Sequence, residues 1–98
     1  MSATREIEIE APPEDVWEAL IDEDRRAAWL AEPERVISVQ EAQAPSRIVW
    51  HWWGDERRQT RVEISVVGVD RGSRVTVTES RASFPLASLA ASFALVAA

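Results

Sequence analysis

From Arg5 to Glu10 the chain reads R-E-I-E-I-E, a period of two that sets Ile7 and Ile9 on one face and Glu6, Glu8 and Glu10 on the other. This pattern predicts a half-buried strand. Ala11-Pro12-Pro13-Glu14-Asp15 then switches the chain to helix, because proline suits a first helical turn and carboxylates there favour the positive end of the helix dipole. Val16, Ala19 and Leu20 follow at helical spacing, with Trp17 beside them. A second helix is expected from Asp22, whose side chain can cap it; Glu23 and Asp24 fill its first turn, Ala28, Trp29 and Leu30 follow, and Pro33 ends it.

The period then returns to two, in runs bounded by turn-forming residues. Val36–Gln40 is the first run and Arg47–Trp53, R-I-V-W-H-W-W, the second. Gly54-Asp55-Glu56 turns the second into a third at Arg58–Val67, and Asp70-Arg71-Gly72 makes a hairpin into a fourth at Ser73–Ser80. Alternation groups Ile48, Trp50 and Trp52 with Val62, Ile64, Val66, Val75 and Val77 on a core face, and Arg61, Glu63, Ser65, Arg74, Thr76 and Thr78 on the other. From Ala82 to Ala98 there is no charge, and Leu86, Leu89, Phe93 and Val96 recur near the helical period. A membrane span needs about 20 apolar residues, more than this segment offers between Pro85 and its serines. A helix from about Leu86 onward, roughly 20 Å long, docked across the sheet is the better reading. The fold class predicted is α+β, in the order β-α-α-β-β-β-β-α, with one antiparallel sheet against a C-terminal helix.

Length and composition narrow the picture. With 98 residues the chain is expected to form one domain over 1–98. Its cations are 11 arginines against 17 acidic residues, a net charge of -6 that disfavours nucleic acid and anionic membrane surfaces as partners. The absence of cysteine removes disulfides, thiolate nucleophiles and thiolate metal sites. Residues 2–10 alternate charge with Ile and hold no apolar h-region, so a cytoplasmic location is expected.

The candidate chemistry is sparse. Five tryptophans stand at 17, 29, 50, 52 and 53, without tyrosine. Trp29, Trp50 and Trp52 can line an apolar pocket under the last helix with Ile64, Val77, Leu89 and Phe93, or they can be the bulky core of a small domain. Alternation points Glu79 toward the core face, where it can meet a ligand's polar end or act as a general base; alternatively it sits at the rim, solvated or paired with Arg81 or Arg5. His51, the lone histidine, falls on the outer face and has no recognisable nucleophile or second ligand. With Val49 and Trp53 it makes an apolar stripe on a charged face, a candidate interface. Asp22, Glu23 and Asp24 lack the spacing of a calcium loop and are accounted for by helix capping. No metal or cofactor is expected.

Taken together, R-E-I-E-I-E-A-P-P-E-D-V-W-E-A-L, the helical A-A-W-L, R-I-V-W-H-W-W and S-R-V-T-V-T-E resemble the START-like superfamily, also called SRPBCC or polyketide cyclase/dehydrase-like. The branch they are most similar to comprises homologues of the activator of the heat-shock-protein-ninety ATPase. The resemblance implies a helix-grip fold, a curved antiparallel sheet around a long C-terminal helix, with a cavity that in many relatives holds an apolar small molecule. Two departures stand out: a two-stranded hairpin is missing between Leu30 and Arg47, which leaves a sheet edge open, and the last helix stops early. The leading expectation is non-enzymatic binding of a small hydrophobic molecule or a protein partner. A cyclase- or dehydratase-type enzyme using Glu79 and a homodimeric interaction module are the alternatives.

Overall fold

The computed structural model describes residues 3–30, 36–53, 60–79 and 84–94. Its elements are β1 (Ala3–Ile9), α1 (Pro13–Ile21), α2 (Glu23–Leu30), β2 (Val36–Gln43), β3 (Arg47–Trp53), β4 (Thr60–Val69), β5 (Gly72–Glu79) and α3 (Leu86–Ala94), in the predicted order. The expected Gly54-Asp55-Glu56 turn, the start of the third run at Arg58, and Val96 lie outside the described residues.

The strands form one five-stranded antiparallel sheet, β1-β5-β4-β3-β2. Consecutive strands from β2 to β5 pair antiparallel, and β1 pairs with β5, so the first and second strands form the two edges. Register puts Ile37, Trp52 and Thr60 in one row across the inner face, and Val39, Trp50, Val62 and Glu79 in the next. Ile48, Ile64, Val77 and Arg5 form a third row. The predicted core face is the real one: Ile48, Trp50, Trp52, Val62, Ile64, Val75 and Val77 are all buried completely, together with Val16 and Leu20 of α1.

The second strand outruns its prediction by three residues, to Gln43 rather than Gln40. The pairing shifts between Val39, opposite Trp50, and Glu41, opposite Val49, so Gln40 is a bulge that hides the later alternation.

Local chemistry joins the helices as the sequence implies. Asp22 Oδ1 accepts the backbone N–H of Asp24 at 2.9 Å and of Arg25 at 3.1 Å, which caps α2. Trp29 Nε1 donates to the Ala19 carbonyl at 2.8 Å and Arg26 Nη1 to the Leu20 carbonyl at 3.1 Å, so α2 satisfies the acceptors that end α1.

The β4–β5 hairpin fixes where α1 begins. Ser73 Oγ donates to the Ala11 carbonyl at 2.7 Å in a buried bond. At neighbouring Gly72, with φ of 154°, a Cβ would collide with the Ile9 carbonyl oxygen and lie 2.9 Å from Ala11 N and Glu10 Cα. Only glycine lets the chain pass so close. Gly72→Ala is therefore expected to lower stability by about 2–3 kcal/mol in urea titration, from an unfavourable φ and a displaced β1–α1 junction; an unchanged midpoint would show that the two segments do not need this approach.

Candidate ligand site

Four aromatic side chains meet between the sheet and the helices. Trp50 and Trp52 point inward from β3 and Trp29 comes from α2, where its bond to Ala19 fixes its indole. At their centre lies Phe84, just before α3. Its ring centroid is 5.4 Å from that of Trp29, 5.9 Å from Trp50 and 5.9 Å from Trp52, all tilted, and it is 1% exposed. These are the spacings at which aromatic rings attract beyond simple burial. The Arg26 guanidinium lies 5.8 Å from the Trp50 ring. The indole N–H of Trp50 is buried and has no hydrogen-bond acceptor among the described residues.

Of the expected lining residues, Trp29, Trp50, Trp52, Ile64, Val77 and Leu89 share this buried core. Phe93 does not reach the tryptophans' level of burial; it is half-buried, with the Arg25 guanidinium 5.8 Å from its ring, and lines a groove beside β1. Phe84 was missed by sequence reasoning because it belongs to no periodic run. Pro85 was its signal, since the residue before a proline is held extended and a lone aromatic there can turn inward ahead of the helix.

Glu79 closes the inner face at the end of β5. Its side chain has no exposure, whereas that of Arg5, two residues away across the β1–β5 ladder, is 35% exposed. Arg5 Nη2 donates to Glu79 Oε1 at 2.6 Å and to the Phe84 carbonyl at 2.7 Å, and the Phe84 N–H donates to the same Glu79 oxygen at 2.9 Å. The ion pair thus grips both polar groups of the Phe84 backbone. Of the two arginines weighed as partners, Arg5 is in place; Arg81 lies outside the described residues.

The outer face departs from expectation at one position. Val49 is not part of an exposed apolar stripe; it is only 2% exposed, while His51 and Trp53 are half-buried. It sits between Glu41 and Glu63 across the ladder, and Arg47, two residues earlier on the same face, donates to both, from Nη1 to Glu41 at 3.3 Å and from Nε to Glu63 at 3.2 Å. Charged side chains stretched between neighbouring strands cover the valine with their aliphatic stems. The hydrogen bond from Arg47 holds the Glu63 carboxyl below the usual carboxylate range, and the same bond, with Glu41 adding to it, raises the Arg47 guanidinium.

Among the described residues, no group of three or more His, Asp or Glu side chains could hold a metal ion. No helix there is long and apolar enough to cross a membrane.

A five-stranded antiparallel sheet with its first strand returned to the edge beside the last, and helices packed on the inner face, defines a helix-grip domain. The chain belongs to the polyketide cyclase / dehydrase and lipid transport family, whose pattern matches residues 1–98. Among solved structures it is similar to CalU16 from Micromonospora echinospora, at 17% identity and a TM-score of 0.69, over 84% of this chain and 61% of that one. It is also similar to an HSP90 activator from Plasmodium falciparum (17% identity, 88% and 78% of the two chains, TM-score 0.71). A third is the Aha1 dimer from Colwellia psychrerythraea (17% identity, 97% and 89%, TM-score 0.66). At such identities the likeness concerns the fold. The chain spans less than two thirds of CalU16. No curated protein matches it.

Proposed function

We propose that this chain, acting as one domain in the cytoplasm, is a non-catalytic binding module for a small apolar molecule carrying a flat ring and a hydrogen-bond acceptor. The observation that carries this reading is the convergence of three indoles on one ring-sized site next to the Trp50 N–H, which has no acceptor among the described residues. Leaving such a donor buried without a partner costs about 1–3 kcal/mol, which a ligand acceptor would offset. Phe84 fills the ring position, so a ligand enters by displacing it. The enzyme alternative draws less support, because the Glu79 carboxylate is enclosed and committed to Arg5 and the Phe84 backbone rather than open to a substrate proton.

Quinoline and naphthalene separate the elements of this proposal, since both are flat bicyclic rings and only quinoline has an acceptor. Quinoline is expected to raise the melting temperature and change tryptophan fluorescence more than naphthalene does, because a ligand selective for the folded state stabilises it. Phe84→Leu, which keeps the site apolar at a stability loss of about 2–3 kcal/mol, should bind quinoline at least tenfold more tightly. Silence of both wild type and Phe84→Leu across a wider panel of ring compounds would remove the proposal.

A homodimer is the second reading, and one observation favours it: Val36 and Val39 of the edge strand β2 are 48% and 44% exposed. Exposed apolar edges invite pairing. Sedimentation should then find a dimer that Val39→Lys dissociates; a wild-type monomer at millimolar concentration would exclude it.

A further inference from the structure

The opposite edge of the sheet has a different character. No described residue pairs with the free side of β1, which stands at the end of the strand order with half of its backbone N–H and C=O groups turned outward. Beside that edge runs a groove of about 530 Å³ between β1 and α3. Ile7 and Ile9 form its sheet wall. Its helix wall is Ala87, Ala90 and Ala91, small enough to leave room, and Phe93 lies farther along the same helix. An edge strand beside an open groove walled by a helix is an arrangement by which an extended peptide can add to a sheet, its backbone bonding to the edge and alternate side chains resting against the helix.

The charges say what kind of peptide. Glu6 and Glu8 alternate along the outer side of β1, Glu10 follows just past its end, and Glu8 and Glu10 also line the groove. Among the described residues their one ion-pair partner is Arg74, 3.5 Å from Glu6 and 3.7 Å from Glu8, and those carboxylate side chains remain 57% and 64% exposed. A second copy of this chain is a poor occupant. Antiparallel β1–β1 registers that keep the isoleucines on one face and pair five or more residues set Glu6 opposite Glu6, Glu6 opposite Glu8, or Arg5 opposite Arg5, and like charges directly opposed destabilise a strand pair. A strand with arginine or lysine at alternate positions meets the same row with opposite charge, while its apolar positions fall on the alanine wall.

We propose that the groove between β1 and α3 takes a basic, alternating peptide segment of a partner protein as a sixth strand, independently of the ligand site beneath Phe84.

The probe is the peptide acetyl-Arg-Val-Arg-Val-Arg-Val-amide, titrated into the full chain and followed by amide NMR. Shifts should concentrate in residues 3–9 and 87–91, and the matching Glu-Val peptide should bind at least tenfold more weakly. Glu8→Arg should weaken the arginine peptide at least tenfold, and Ala91→Phe should abolish its binding by filling the groove. Both positions are exposed, and an unchanged melting temperature checks that each variant folds. The proposal is overturned if the arginine peptide leaves these amides unmoved, if its affinity survives either substitution, or if the shifts map to residues 36–43 instead.

Discussion

A carboxylate removed from water costs several kcal/mol unless donors replace the water, and the Glu79 side chain has no exposure at all. The fold meets this requirement with Arg5 from the first strand and the N–H of Phe84 from the entrance to the last helix, both on one oxygen. Arg5 then returns a bond to the carbonyl of Phe84. Residues 79 apart in sequence are thereby tied at one point, and the three elements that must meet for the fold to close, β1, β5 and α3, meet there. Removing Arg5 takes the cationic donor from a carboxylate that water does not reach, whereas Arg5, 35% exposed, keeps contact with solvent when Glu79 is removed.

Phe84 inherits its position from that junction. With both backbone polar groups held, its ring has little choice but to enter the space among Trp29, Trp50 and Trp52, and Leu86 and Leu89 follow it onto the core. A small domain gains from this arrangement, because a large aromatic cluster supplies burial that a shortened sheet otherwise lacks. It also means that any ring-bearing ligand competes with a ring tethered to the site, whose effective concentration is set by the chain rather than by dilution. The sheet's two edges then offer different surfaces: β1 presents a row of carboxylates, and β2 presents exposed valines, Val36 and Val39, with a single charge at Glu41.

Much of this was legible in the sequence, and the exceptions have physical causes. Period-two segments reported the inner face because one methylene-rich face and one charged face are what a half-buried strand requires, and every inner-face residue named from alternation in the third and fourth runs is buried. The same rule failed for Val49, since alternation reports the face and not what neighbouring charged stems do on it; Arg47 lies two residues away, but its reach to Glu41 and Glu63 depends on strand register. The end of β2 was hidden by one bulged residue, Gln40. Glu79 was placed on the correct face, and its pairing with Arg5 followed only once β1 was known to lie beside β5. Phe84 was illegible for a related reason: a residue outside any periodic run takes its position from tertiary hydrogen bonds, and those join segments that the sequence keeps apart.

The central claim is that the Arg5–Glu79 pair holds the Phe84 ring inside the tryptophan cluster. Proton NMR of the wild-type chain tests it directly, because a ring so placed lies within the ring currents of three indoles. The account predicts Phe84 ring protons shifted well upfield, with nuclear Overhauser contacts to the indoles of Trp29, Trp50 and Trp52. Phe84 resonances at ordinary solvent-exposed positions, with no contact to any indole, would contradict it.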